Sequence, residues 1–183
     1  QTADKITFVI KDAEGQQGYP GNAVMKVTYE VTEANELSIT YHATADKTTI
    51  FNMTNHAYFN LNGAGSGSAM EQILQIRASH YTPVIDAKSI PTGEIASVDG
   101  TPFDFREAKP MGRDIEQAND QLSYGHGYDH NFVLDKERAG LEKIATAYST
   151  KSGIKMDEIT DCIGMQLYTA NFIQGQKVQG GAV

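Results

Sequence analysis

Two runs of strict alternation, joined by a short polar connection, restrict this chain to folds built from antiparallel strands. In the first, Met25, Val27, Tyr29 and Val31 fall on one side and Lys26, Thr28, Glu30 and Thr32 on the other. After Glu33-Ala34-Asn35-Glu36 the pattern resumes, with Leu37, Ile39, Tyr41 and Ala43 opposed to Ser38, Thr40, His42 and Thr44. Successive side chains of a strand leave on opposite faces, so a period of two marks strands buried on one face. The short connection makes the two runs a hairpin. Tyr19-Pro20-Gly21-Asn22 places a turn just before it.

The rest of the chain keeps this character. Thr48–Met53 is rich in β-branched residues and reads as a third strand, running into His56. Further short strands are expected at Ile73–Arg77, Asn131–Leu134, Ala145–Ser149, Lys155–Ile159 and Met165–Thr169. The best helical candidate, Met111–Ala118, is short. Gly63-Ala64-Gly65-Ser66-Gly67-Ser68 is a surface loop, since no strand-to-helix step accompanies it as a phosphate-binding loop requires. Many short strands and little helix predict an all-β fold, a twisted antiparallel sandwich. No stretch is long enough to be a linker, so residues 1–183 are expected to form a single domain.

Charge narrows the partners. The chain has a formal net charge of −8 and no basic run, which argues against nucleic acid. No apolar run approaches the roughly 20 residues of a membrane helix. Cys162 is the only cysteine, which excludes an internal disulfide and fits the cytoplasm, with the periplasm as the alternative. The start at Gln1 and the close on Gly180-Gly181-Ala182-Val183 read as cuts within a longer protein.

Among groups that could carry chemistry, His56 stands out. Imidazole donates or accepts a proton near neutral pH. Asn52, Asn55 and Asn60 lie close enough in sequence to orient it, although a histidine satisfying a turn fits the same local pattern. Tyr58 and Phe59 alternate, so one of them is expected in the core. Asp129 could cap a turn after Gly125-His126-Gly127, and Gln166 could be an outward strand residue. His130, beside Asp129, points to the opposite face and is read as structural and not as a metal ligand. His42, His80 and His126 show no paired spacing and are read as surface residues. Asp157, Glu158 and Asp161 lack EF-hand spacing and are read as a solvated loop. Cys162 has no basic neighbour to activate it.

Taken in order, several segments resemble one family. Asn55-His56-Ala57-Tyr58-Phe59-Asn60-Leu61 resembles the signature of the aldose 1-epimerases (galactose mutarotases). Gly18-Tyr19-Pro20-Gly21-Asn22, Tyr81-Thr82-Pro83-Val84, Ile90-Pro91-Thr92-Gly93-Glu94-Ile95, Thr101-Pro102-Phe103-Asp104-Phe105-Arg106 and Gly112-Arg113-Asp114-Ile115 are similar to other family segments. Gly127-Tyr128-Asp129-His130-Asn131-Phe132 and Gln166-Leu167-Tyr168-Thr169-Ala170-Asn171-Phe172 complete the series.

The resemblance implies a mutarotase-type supersandwich and the interconversion of α and β anomers of free aldohexoses such as galactose and glucose. It implies that His56 is the acid at the ring oxygen and that Tyr58 belongs to the same sugar-contacting segment. Asp129 and Gln166 would bind sugar hydroxyls. No cofactor or metal is implied for this chain; some relatives bind a cation such as calcium, but no ligand set here supports one. The family's base is a glutamate in a Glu-Thr-Gln-like context. Its other substrate contacts include an asparagine–arginine pair and a second histidine. None of these has a counterpart here, and Glu158 stands upstream of Gln166, out of order. The expectation is therefore the central part of the enzyme, poorly active alone, with its open strand edges favouring association. A non-catalytic carbohydrate-binding sandwich is the alternative, and a purely structural β domain a third reading.

Overall fold

The computed structural model describes residues 4–173, so Gln1 and the segment Gly180–Val183 lie outside the described residues. The chain forms two compact units, divided after Tyr58. Among the described residues no helix is long and apolar enough to cross a membrane.

The first unit is a three-stranded antiparallel meander of β1 (Lys5–Asp12), β2 (Ala23–Val31) and β3 (Leu37–Ala45), in the order β1-β2-β3. The expected hairpin is β2–β3, in a register that sets Tyr29 opposite Ile39 and Val27 opposite Tyr41. β1 was not foreseen, although Ile6, Phe8 and Ile10 alternate with Thr7, Val9 and Lys11. The predicted Tyr19–Asn22 turn is fastened to the end of β3. The Asn22 backbone N–H and its side-chain Nδ2 donate to the two Asp46 carboxylate oxygens, each at 2.7 Å. Gly21 has φ +84, and a Cβ there would lie 2.9 Å from Asp46 Oδ1, so only glycine fits. The third predicted strand is absent: residues 48–53 have no regular structure. β propensity measures fit to a pleated surface, and without a ladder partner those residues gain nothing from an extended conformation.

The second unit is an all-β sandwich, as expected. Its strands are β4 (Ile73–Ile76), β5 (His80–Thr82), β6 (Ala96–Ser97), β7 (Lys109–Pro110), β8 (Asp129–Val133), β9 (Glu142–Tyr148), β10 (Lys155–Thr160) and β11 (Gly164–Tyr168). They form two antiparallel sheets, ordered β10-β9-β4-β7 and β11-β8-β5-β6. Leu74, Ile76 and Ile144 from the first sheet meet Tyr81 and Phe132 from the second in one core. Phe103 and Phe105, two residues apart in the Thr101–Arg106 segment, are fully buried there. Phe103 stacks on Tyr81 at 4.5 Å between ring centroids, and Phe105 meets Phe132 edge-on at 6.1 Å. Burying each ring stabilises the unit by about 2–3 kcal/mol.

Lys109 enters this core with 1% of its side chain exposed. Its ammonium donates to Asp114 Oδ2 at 2.7 Å and to the Pro102 carbonyl at 2.8 Å, and lies 4.2 Å from the Phe105 ring centroid. Asp114 also accepts from Gln117 Nε2 at 2.8 Å, and residues 111–118 form turns and bends, where the sequence offered only a short helical candidate. The helix, α1, lies instead at Asp120–Gly125. Asn119 caps it by accepting from the backbone N–H groups of Gln121 and Leu122. The Gly63–Ser68 loop is organised by Asn60, whose Nδ2 donates to the Gly67 carbonyl at 2.9 Å.

Candidate active site

In β8 the side chains of His130 and Phe132 enter the core, so Asp129, Asn131 and Val133 leave on the outer face. The β8–β11 register sets Tyr168 opposite Asp129, Gln166 opposite Asn131 and Gly164 opposite Val133. The flanking backbone bonds run from Thr169 N–H to the Tyr128 carbonyl and from Leu134 N–H to the Ile163 carbonyl. Asp129, Asn131 and Val133 therefore occupy non-hydrogen-bonded positions, where cross-strand side chains approach most closely. Gln166 Nε2 donates diagonally to Asp129 Oδ1 at 2.8 Å. β5 sets Thr82 opposite Asn131 from the other side. A polar row, Thr82–Asn131–Gln166, thus crosses three strands with Asp129 at its corner.

The two sequence segments that carry this pair are interlocked. Asn171 Nδ2 donates to the carbonyls of Gly125 and Tyr128, at 2.7 and 2.9 Å. Thr169 Oγ1 accepts from the Tyr128 N–H at 3.1 Å. Gly127, at φ +134, lies so close beneath Asn171 that a Cβ would sit 2.7 Å from its Oδ1. Thr169 and Asn171 thus supply the polar groups that the Gly125–Tyr128 backbone requires at the entry to the sheet. Gly164 has a similar role: a Cβ there would fall 2.5 Å from Asn131 Oδ1, so the glycine leaves room for that amide.

Asp129 is not a turn cap; its carboxylate is half-buried and bonded to Gln166, which is exposed. Gln166 is an outward strand residue, and that placement is what makes it available. His130 is 1% exposed, packed edge-on against Phe103 and Tyr81 at 4.7 and 5.9 Å. Burial pushes its pKa down to about 4, with the neighbouring Asp129 charge opposing the shift. Its place in the core is that of a packing residue; among the described residues no group of three or more His, Cys, Asp or Glu could hold a metal ion. His42, His80 and His126 are exposed, as expected.

His56 and Tyr58 lie in the first unit. Asn55 shapes that segment: its Oδ1 accepts from the Ala57 N–H at 3.0 Å and its Nδ2 donates to the Tyr29 hydroxyl on β2 at 3.2 Å. The His56 imidazole is exposed and meets the Tyr58 ring edge-on at 5.4 Å. The Asn60 amide, in the second unit, is engaged by Gly67, Asn62 and Gln72. The expectation that Tyr58 or Phe59 is core also fails, at 54% and 55% exposure. Outside a ladder, alternation does not set faces.

Sequence reading missed Asn131 and Thr82. The signal was present: period two from Asp129 puts Asn131 on the same face. The second unit also holds an open cleft of about 660 Å³ lined by Met70, Ile115, His126 and Phe172, among others, but neither Asp129 nor Gln166 lines it.

Comparison with known proteins gives this geometry a context. The aldose 1-epimerase family model matches residues 1–183. The aldose 1-epimerase of Escherichia coli (strain K12) is 38% identical over 180 residues, covering 98% of this chain and 51% of that protein. The galactose mutarotase of Rattus norvegicus is 41% identical over 170 residues, covering 93% of this chain and 47% of that protein. An aldose epimerase homologue from C. elegans superposes with a TM-score of 0.81 at 33% identity, covering 94% of this chain and 50% of that one. The chain spans about half the length of these relatives. It belongs to the aldose 1-epimerase family.

Proposed function

We propose that this chain is part of an enzyme that interconverts the α and β anomers of free aldohexoses such as galactose and glucose. A base takes the proton of the C1 hydroxyl while an acid protonates the ring oxygen, and the ring opens to an aldehyde. The carbonyl turns over its face and the ring closes with the roles reversed. His56 is assigned the acid role, and Tyr58 the same sugar-contacting segment. A neutral sugar also suits an acidic chain with no basic run.

The observation that carries this reading is the Asp129–Gln166 pair. One Gln166 N–H is held by Asp129 Oδ1, which leaves the amide oxygen, the second N–H and Asp129 Oδ2 to meet hydroxyls. Fixed acceptors and donors side by side on a sheet face suit the ring of hydroxyls of a pyranose. No glutamate here stands in the family's Glu-Thr-Gln context, so the base is assigned to a part of the protein outside these 183 residues.

Polarimetry of freshly dissolved α-D-glucose with the intact protein tests the function. A first-order approach to the anomeric equilibrium, well above the buffer rate and proportional to protein, is expected. Sugar binding with no rate above buffer would instead identify a non-catalytic carbohydrate-binding module.

A further inference from the structure

At Pro83 the β5–β8 ladder breaks. Thr82 pairs with Asn131, and continuing that register would set Val84 opposite Asp129. Instead Val84 turns to α1: its N–H donates to Gln121 Oε1 at 2.7 Å and its carbonyl accepts from Gln121 Nε2 at 2.9 Å. The Asp129 N–H, left without a strand partner, donates to His130 Nδ1 at 3.2 Å. His130 Nε2 closes the circuit to Gln121 Oε1 at 3.1 Å. A side-chain bridge, Val84–Gln121–His130–Asp129, stands where the next ladder rung would be.

The bridge dictates the state of the ring. Nδ1 must accept, because a backbone N–H can only donate, so the proton resides on Nε2 and is given to Gln121. An imidazolium would have no lone pair for Asp129, and burial beside Phe103 and Tyr81 disfavours that charge. The only carboxylate adjoining the ring in the sequence, Asp129, directs its own side chain to Gln166 on the outer face.

We propose that His130, anchored by Gln121, is a positioning residue that fixes the backbone of Asp129 and thereby aims its carboxylate at the sugar. This role rests on the reading of Asp129 as a sugar contact. Its effect falls on substrate binding and not on proton transfer, since His130 lies on the core side of β8 and touches no substrate.

The test compares His130→Phe, His130→Asn and Asp129→Asn in the intact protein, with D-galactose as substrate. His130→Phe keeps a ring but loses the acceptor; KM should rise about tenfold while kcat changes less than threefold. His130→Asn, with an amide oxygen near the Nδ1 position, should recover most of that loss. Nitrogen-15 NMR of the wild-type imidazole should show the Nε2–H tautomer, a readout that needs no variant to fold. An Nδ1–H tautomer would overturn the proposal. So would a folded His130→Phe with unchanged KM beside an Asp129→Asn whose KM has risen, or a His130→Asn no better than His130→Phe. If Asp129→Asn itself leaves KM unchanged, the sugar-site reading has failed and this role falls with it.

Discussion

Gln166 reaches across the β8–β11 pair to Asp129 although Tyr168, and not Gln166, stands opposite that aspartate. The diagonal bond engages one aspartate oxygen with the glutamine on the outer face and leaves the other for hydroxyls. Gln166→Leu keeps most of the volume and removes the donor. Aldose affinity should fall about three- to tenfold, in line with the loss of about 1 kcal/mol from a hydrogen-bonded pair. The melting temperature should barely move, because Gln166 is exposed. Calorimetric titration beside a thermal melt checks both; unchanged affinity would remove Gln166 from the site.

The Lys109–Asp114 pair yields an ordering of stabilities. Removing Asp114 leaves an ammonium that is 1% exposed without its counter-ion, whereas removing Lys109 leaves a carboxylate still bonded to Arg113 and Gln117. Asp114→Ala should therefore cost more than Lys109→Met, with about 3–5 kcal/mol for the former. Urea unfolding of both variants measures the difference. Equal losses would mean that Arg113 and Gln117 contribute nothing to Asp114.

Much of this fold was legible before any coordinates, and the limits are physical. β2 and β3 were readable because each is nine residues long, enough for apolar and polar side chains to repeat visibly with the pleat. β5, β6 and β7 are two or three residues long, too short for any period to show. Thr48–Met53 failed for the opposite reason: its residues favour strands, but pairing is a property of the partner. His56, Asp129 and Gln166 were singled out through family segments, and their roles in the site are a proposal; the pleat brings Asp129 and Gln166 onto one face, where they are bonded. The Gln121–His130 bridge was not legible. It depends on where β5 leaves β8, which no local pattern encodes.

His130 also sets a pH dependence of stability. Its native pKa is depressed to about 4 from an ordinary 6.5, so the folded state stays neutral where the unfolded chain already binds a proton. Stability is fully present above pH 6.5 and is lost as pH falls toward 4, by up to about 3 kcal/mol. Asp104, held low by Arg106, and Asp114, held low by Lys109, lose their contributions only at lower pH, as each is protonated below the ordinary 3.8. Urea midpoints measured from pH 7 to pH 4.5 should fall for the wild type and stay flatter for His130→Asn. Parallel curves would place the acid sensitivity elsewhere.

The last prediction concerns His56 in the intact protein. The acid role proposed for His56 would act in the transition state, so His56→Asn should lower kcat by roughly 10²–10⁴-fold and leave KM within a few-fold. Asp129→Asn should raise KM as well, because hydroxyls are bound in ground and transition states alike. On the proposal that the base lies outside these 183 residues, the chain alone should accelerate the mutarotation of α-D-glucose hardly at all. Polarimetry follows all of these proteins once the buffer-catalysed rate is subtracted. If the 183 residues matched the intact protein's rate, the base would have to lie among their own glutamates. Glu94, Glu107 and Glu158 would then be the first to replace, and a base outside the chain would be unnecessary.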